Sequence, residues 1–205
     1  TFNVSCQMGF NTNATFRNFQ LTDGTAKDYL GFGAGVRNLP SSFPAHLGEH
    51  STDEAAAFTR QINQRWGINK FTAIPDQKIS LTSHRSYDVG GWKIGNITNL
   101  NWSTEYDYSE TVNNNYIAYD VKNDVSRPRF EYNDIRYKNT SKLGALFNWS
   151  FQRDGSKYEL RNFFSQRGVS ALTQREGMNY YSDKNIRKWE SLYTCLLYTS
   201  PSPRD

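Results

Sequence analysis

The chain has 205 residues, a formal net charge of +4 and an aromatic content of 15%, whereas only 37% of its residues are hydrophobic. Disordered chains are poor in aromatic residues, so this composition indicates a folded protein with little aliphatic core. The densest basic cluster, residues 184–188, is too sparse for a nucleic-acid groove, so nucleic acid is not expected as a partner. The sequence has no run of about 18 apolar residues, which excludes a membrane-spanning helix but leaves membrane-spanning strands open.

Six segments predict strands, because apolar residues alternate in them or β-forming residues are enriched. In chain order they are residues 2–20, 77–87, 92–108, 142–153, 157–164 and 186–194. Residues 130–138 either extend the fourth strand or form a hairpin with it. Tight turns are predicted at 88–91 and 153–156, the second with an Asp-Gly hairpin signal, and the other connections take roughly 55, 30 and 20 residues. Alternating short turns and long loops are typical of an up-and-down barrel in an outer membrane.

The first long connection contains the one predicted helix. Residues 51–54, Ser-Thr-Asp-Glu, form a capping box with the serine as N-cap and the glutamate at N3. Phe58, Ile62 and Trp66 then recur every four residues, and Gly67 is predicted to end the helix. This pattern favours a short amphipathic helix packed on a loop or a barrel rim.

The fourth predicted strand separates apolar from polar side chains. Leu143, Ala145, Phe147, Trp149 and Phe151 fall on one side, and mostly glycine, asparagine, serine and glutamine fall on the other. Exposed strand faces of soluble sandwiches usually carry lysine and glutamate, so the second side suits a wet lumen and the first suits lipid. Because lipid cannot satisfy loose backbone groups, the sheet must close, and six strands form an arc of a larger ring.

Short motifs in a fixed order resemble TonB-dependent outer-membrane receptors of the Bacteroidetes type. They are DYLGF at 28–32 with RNLP at 37–40, an aromatic-rich helix, PDQKISL at 75–81, GALFN at 144–148, LRNFFSQ at 160–166 and REG at 175–177. The resemblance covers residues 1–194 in register. It implies an all-β fold, an antiparallel transmembrane β-barrel of about 22 strands, of which this chain holds the first part just after the plug domain.

The same resemblance implies a function for the intact protein. It would bind a scarce nutrient, which is an iron chelate, a glycan or a peptide, and import it across the outer membrane of a Gram-negative bacterium. Its partners would be outer-membrane lipid, the small nutrient ligand and the TonB complex, reached through the plug; a surface lipoprotein is a further candidate. The plug and the later strands are expected to lie outside this chain, which alone should not transport.

The sequence lacks a nucleophile elbow, a phosphate-binding loop and a cysteine-based metal motif, so no enzyme activity, cofactor or metal is predicted. His46 and His50 are four residues apart, but proline and glycine near them prevent one helix from presenting both to a metal. Glu105 and Asp107 share one strand face and are expected to be solvated acids. If they instead converged on a sugar, the chain would be a glycosidase.

The loops hold the candidate ligand-binding residues. Tyr29, Phe32 and Arg37 lie in the first long loop, and Arg175 and Tyr180 lie in the third. Nearby side chains of the same kinds are Phe43, His46, Gln166, Arg167 and Tyr181. Aromatic rings with a few polar groups suit a sugar, a peptide or a chelate. The open alternative is that each of them only packs one loop against another.

The main alternative to the barrel is a secreted β-sandwich carbohydrate-binding module, which would be soluble without detergent and would bury its aromatic face.

Residues 195–205, CLLYTSPSPRD, break the preceding pattern and resemble an in-frame translation of a transposase-type sequencing adapter. They are therefore predicted to be a non-native tail, and residues 1–194 to be the barrel segment.

Overall fold

The computed structural model describes residues 1–62 and 67–200, which fold mostly as antiparallel β-structure, as predicted. The elements are β1 (Phe2–Gly9), β2 (Asn18–Thr22), α1 (Thr52–Arg60), β3 (Ile68–Thr72), β4 (Asp76–Val89), β5 (Trp92–Asp120), β6 (Val125–Arg153), β7 (Ser156–Asn179) and β8 (Lys184–Ser200). Six strands form one sheet in the order β1-β4-β5-β6-β7-β8, and β2 pairs only with β3. Over these residues the sheet is open and does not close into a barrel.

The prediction of a second and a third long loop is wrong, because the strands continue through both stretches. β5 and β6 form a hairpin that turns at 121–124, and β7 and β8 form another that turns at 180–183. The alternative that residues 130–138 extend the fourth predicted strand is confirmed. Both faces of these extensions carry polar side chains, so the alternation that marks a half-buried strand is missing from the sequence.

The predicted tight turns are confirmed at both places. Gly90 and Gly91 take φ values of 57° and 80°, and Asp154 and Gly155 take 48° and 80°. Left-handed backbone at two consecutive positions matches the twist of a two-residue hairpin, which explains why glycine recurs there. These turns set the register in which Asn96 faces Trp149 and Trp149 faces Leu160.

The first connection starts earlier than predicted and contains a shorter helix. β1 stops at Gly9 instead of running to residue 20, and the chain then leaves the large sheet until Asp76. The predicted capping box is present at the start of α1, but the helix ends at Arg60 rather than at Gly67. Trp66, which the helix prediction included, lies outside the described residues. None of the helices in the described ranges is long and apolar enough to cross a membrane.

Residues 10–62 and 67–75, called the covering segment here, pack over one half of the large sheet. The ring of Phe19 is fully buried and meets Tyr106 and Tyr137 edge-on at centroid distances of 5.3 and 5.2 Å. Leu172 of β7 closes the same cluster. The core therefore lies between the covering segment and the middle strands, where β5, β6 and β7 are longest.

The large sheet has an apolar face and a polar face. The apolar face carries Trp102, Leu143, Phe147 and Trp149, and its upper half, farther from the turns at 90–91 and 154–155, lies under the covering segment. The polar face carries side chains such as Asn99, Asn101, Asn148, Ser150 and Lys142, interrupted by Ile97, Leu146 and Phe163. The separation predicted for residues 143–151 is thus present across several strands.

Strand pairing extends into the predicted non-native tail. Residues 195–200 of β8 pair with residues 163–168 of β7 and continue the same antiparallel ladder. Residues 201–205 lie outside the described part of the chain. The origin of this tail stays a prediction.

Candidate functional site

Two glycines let the covering segment reach the sheet. Gly31 has a φ of 81°, and a Cβ atom built on it would lie 2.9 Å from the backbone nitrogen of Gly168 in β7. A Cβ atom on Gly168 would lie 2.7 Å from the Cα atom of Gly31. Gln166 donates a hydrogen bond of 2.6 Å to the Gly31 carbonyl. Backbone thus packs directly on backbone here, which only residues without a side chain permit.

The predicted candidate residue Arg37 braces this contact. Its guanidinium donates to both carboxylate oxygens of Asp28 at 3.0 and 2.8 Å, and to the Gly33 carbonyl at 2.8 Å. It also lies 4.1 Å from the ring centre of Tyr193 in β8, and the Tyr193 hydroxyl accepts a bond from the Gly33 backbone nitrogen. Bidentate pairing and stacking on a ring hold a guanidinium firmly in place, so Arg37 orders the covering segment.

The candidates Tyr29 and Phe32 lie beside this brace. Trp102 donates its indole hydrogen to the Tyr29 carbonyl at 2.6 Å, and the ring of Phe32 stacks on Phe164 at 6.3 Å. The Tyr29 side chain itself remains 49% exposed. The structure therefore brings together the three candidates of the first loop, with the backbone of Tyr29 used for docking and its ring left available.

A cleft opens between the covering segment and the sheet next to Tyr29. Its volume is about 230 Å³. It is lined by three aromatic rings and by hydroxyl, amide and carboxylate groups, namely Leu21, Thr22, Gly24, Thr25, Asp28, Tyr29, Asn69, Phe71, Tyr106, Asn139 and Ser170. Burial raises the pKa of the Tyr106 hydroxyl well above its usual range, and the neighbouring Tyr29 raises it further. Tyr106 is therefore a neutral hydroxyl at any physiological pH.

The other two predicted candidates lie elsewhere. Arg175 is in β7 on the polar face, and Tyr180 is in the turn between β7 and β8, where its hydroxyl donates to Glu131 at 2.8 Å. The sequence separates these two from Tyr29 by more than a hundred residues, and the fold does not bring them to the cleft. The five candidates therefore belong to three different places.

Arg175 is the centre of a charged groove on the polar face. It donates two hydrogen bonds to Asp134 at 2.7 and 2.6 Å and lies 4.8 Å from the ring centre of Tyr132. The groove encloses about 340 Å³ and is lined by Thr111, Asp134, Arg136, Ala171, Thr173, Arg175, Lys188, Glu190 and Leu192. Cross-strand pairing places Arg175 opposite both Asp134 and Lys188. The groove thus contains both acidic and basic side chains from neighbouring strands.

The Asp134–Arg175 pair makes stability depend on pH. Hydrogen bonds from the Arg175 guanidinium lower the pKa of the Asp134 carboxyl, so the pair contributes fully above the ordinary aspartate pKa of about 4 and is lost as pH falls through the lowered value. We expect Asp134→Asn to reduce the free energy of unfolding by about 1 kcal/mol at pH 7 and by almost nothing in strong acid. Urea titrations in detergent micelles at pH 7 and in strong acid measure this change in the free energy of unfolding.

The matched control for this prediction is Asp107→Asn. Asp107 also pairs with a basic side chain, Lys138, but the Asp107 side chain is 51% exposed, and a surface pair contributes little. A stability difference between Asp134→Asn and the unaltered chain that stays constant down to acid pH would contradict the assigned role of the ion pair.

The acidic and histidine residues considered in the sequence are not assembled into a reaction centre. Lys138 pairs with Asp107 at 2.9 Å and Lys142 pairs with Glu105 at 3.4 Å, so both acids on β5 face lysines of β6. His50 lies 3.8 Å from Glu54 within the covering segment. Within residues 1–62 and 67–200, no three histidine, cysteine, aspartate or glutamate side chains are grouped to hold a metal ion.

Sequence reasoning missed the strand residues that line the cleft. Tyr106, Asn139 and Ser170 lie on three different strands, and only the register of Tyr106 with Asn139 and of Asn139 with Ser170 brings them side by side. No short motif contains this arrangement, so a correct pairing of β5, β6 and β7 would have been needed to find it.

Comparisons with known proteins do not place the chain in a family. It matches no protein-family profile, and neither the curated proteins nor the solved structures contain a significant match.

Proposed function

We propose that the chain is part of a β-barrel receptor of the outer membrane that takes up a nutrient in a TonB-dependent manner. The observation that carries the proposal is an exposed apolar band on one face of the sheet. The band consists of the apolar-face side chains in residues 79–87, 94–102, 143–151 and 158–166. Phe147 is 42% exposed and Trp149 is 37% exposed, although both point to the apolar face.

The height of the band fits a membrane. It spans about nine residues of each strand, and a tilted transmembrane strand needs about 9–11. At about 3.3 Å per residue and a tilt of about 40°, nine residues cross about 23 Å, close to the roughly 25 Å apolar belt of outer-membrane barrels. Large apolar patches on soluble monomers usually reach only a few hundred Å², so a continuous band over four strands suggests lipid contact.

The two ends of the band carry aromatic rings. Near the turns, Trp92 lies 6.3 Å from Tyr158. At the other end, Trp102 and Phe164 contact the covering segment. Aromatic girdles at both interfaces and short turns at one end are features of outer-membrane barrels.

Six of the twenty side chains in the band are polar, and five of these six have a hydrogen-bond partner among the described residues; the six are Ser83, Arg85, Asn96, Thr98, Asn162 and Gln166. Asn96 is largely buried and donates to the Asn148 carbonyl at 3.2 Å, while Thr98 donates to Asn96. Arg85, near the end with the turns, extends to the Tyr87 hydroxyl at 3.4 Å. A long basic side chain that extends toward the interface in this way is compatible with a lipid-facing position.

The secreted β-sandwich requires a second layer over the same face. Within the described residues, the covering segment supplies such a layer only for the upper half, where it buries Phe19 against Tyr137. Phe147 and Trp149 lie outside that contact. This distribution favours a membrane-facing wall over a sandwich with a closed interior.

A pair of neighbouring labels tests the orientation. Residues 147 and 148 point to opposite faces, so Phe147→Cys and Asn148→Cys, each in a chain with Cys6→Ser and Cys195→Ser, are labelled with an environment-sensitive dye. In detergent micelles containing a doxyl-labelled fatty acid, the dye at 147 should be blue-shifted and quenched, whereas the dye at 148 should report water. Equal, water-like spectra from a chain that folds without detergent would refute the membrane assignment.

The receptor part of the proposal depends on the motifs at residues 28–40 and 144–166. The parent reading frame tests it separately. We expect a plug domain immediately upstream and further barrel strands downstream. A parent frame that encodes a barrel without a plug would keep the membrane assignment and reject the receptor.

A further inference from the structure

We infer that the cleft between the covering segment and the sheet is a binding site for a single neutral sugar ring. The inference goes beyond the proposed function, because the cleft lies above the apolar band and keeps its geometry whether the band meets lipid or another protein. It uses Asp28, Tyr29, Phe71, Tyr106, Asn139 and Ser170.

The size of the cleft selects a small ligand. At about 230 Å³ it is smaller than the roughly 300–1,000 Å³ of pockets that hold drug-sized molecules. A pyranose ring fits such a space, whereas a folded peptide or a large metal chelate does not. Longer glycans could enter only by a terminal ring.

The rings supply apolar walls that meet at an angle. Phe71 and Tyr106 have centroids 6.1 Å apart and planes inclined by 69°. Tyr29 lies at the mouth, with half of its side chain exposed. Aromatic faces suit the C–H faces of a sugar, which present several weakly polarised hydrogens to the ring electrons.

The polar groups supply partners for hydroxyls. Asn139 donates both amide hydrogens within the protein, to the Thr104 hydroxyl at 3.1 Å and to the Glu105 carbonyl at 3.2 Å. The side-chain oxygen of Asn139 is therefore left to accept a hydrogen bond from a ligand hydroxyl. Ser170 is directly opposite Asn139 on β7 and adds a hydroxyl that can donate or accept.

The charge of the cleft favours a neutral ligand. Among the described residues that line it, Asp28 alone carries a formal charge. Arg37 neutralises Asp28 with two hydrogen bonds. An anionic chelate would meet no free cation there, and a cationic ligand would have to compete with an arginine that is already in place.

The test uses sugars directly as probes. Saturation-transfer NMR is recorded on the full chain in a detergent without a sugar head group, with the methyl glycosides of glucose, galactose and mannose and with N-acetylglucosamine. We expect at least one of them to bind, with a roughly millimolar dissociation constant typical of a small ring. Citrate and triglycine serve as an anionic and a peptide probe, and transfer to either of them instead would overturn the assignment to a sugar.

Two variants and a control locate the site. Tyr29→Ala should weaken sugar binding at least about fivefold, and it preserves the main-chain bond from Trp102. Ser170→Val removes the hydroxyl and adds one methyl group to the wall of the cleft, and it should weaken binding by a similar factor. Tyr180→Ala removes a tyrosine of nearly equal exposure, 47% against 49% for Tyr29, and should leave binding unchanged. No binding by any sugar, or binding that Tyr29→Ala and Ser170→Val leave intact, refutes the inference.

Discussion

Replacing Phe19 by alanine should detach β2 and β3 from the sheet. The ring is fully buried among Tyr106, Tyr137 and Phe71, with three ring–ring contacts between 5.2 and 5.6 Å. Truncation of a buried phenylalanine costs about 3–5 kcal/mol, and the alanine would leave a cavity that β2 and β3 alone cannot close. A two-stranded sheet has little stability of its own in water, so its attachment depends on this contact.

Limited trypsin digestion measures this effect. Lys70 lies in β3 opposite Gln20 of β2, and it should become cleavable in the Phe19→Ala variant while the hairpins of the large sheet remain intact. Phe10→Ala is the control, because Phe10 is a phenylalanine of the same segment that is 65% exposed. Its digestion pattern should match that of the unaltered chain. Equal cleavage in all three proteins would show that Phe19 does not hold the segment.

The contact between segment and sheet has two independent parts. Phe19 contributes apolar burial, whereas the brace of Arg37, Asp28 and Tyr193 contributes charge-assisted bonds around Gly31. The cleft lies between these parts. Its shape is thus fixed from two sides, which is the rigidity that a binding site for a small, weakly interacting ring requires.

The sequence predicted strands correctly where the side chains on one face of the strand are apolar and those on the other face are polar. In residues 142–153 the alternation of Phe147 and Trp149 with small polar residues gave the correct strand and faces, and Asp154-Gly155 gave the correct turn. Residues 109–120 and 165–179 lack that contrast. Residues 109–120 are held mainly by pairing with β6. One face of residues 166–172 is buried, but it carries glutamine, glycine and serine besides Leu172, so neither stretch shows an apolar alternation.

The site was predictable only in part. Two residues of the DYLGF motif, Asp28 and Tyr29, line the cleft. The sequence could not assign Arg37 its role, because its partner Tyr193 lies far away along the chain, on the last strand. Arg175 was predicted to lie in a loop, because the fifth predicted strand ended at residue 164, whereas β7 continues to Asn179.

The second large effect is expected for Phe147→Arg, which places a charge in the apolar band and should lower the stability of the chain. Phe147 lies in the middle of the band, in register with Thr98 of β5 and Asn162 of β7. If this face meets lipid or detergent, a guanidinium there must leave its water or distort the surrounding tails, at a cost of about 2–4 kcal/mol. If the face meets water, the same change exposes a charge on an already exposed position and should alter stability by less than about 0.5 kcal/mol.

Ser150→Arg provides the matched charge on the other face. Ser150 points to the polar face, where it is in register with Gly95 and with Glu159, so the new arginine gains an acidic neighbour. Urea unfolding in detergent micelles should therefore show a large loss for Phe147→Arg and almost none for Ser150→Arg. The two substitutions add the same charged side chain to one strand within three residues, so the change in net charge cancels in the comparison. A Phe147→Arg chain that is as stable as the Ser150→Arg chain, and more soluble without detergent, would mean that water covers the aromatic face.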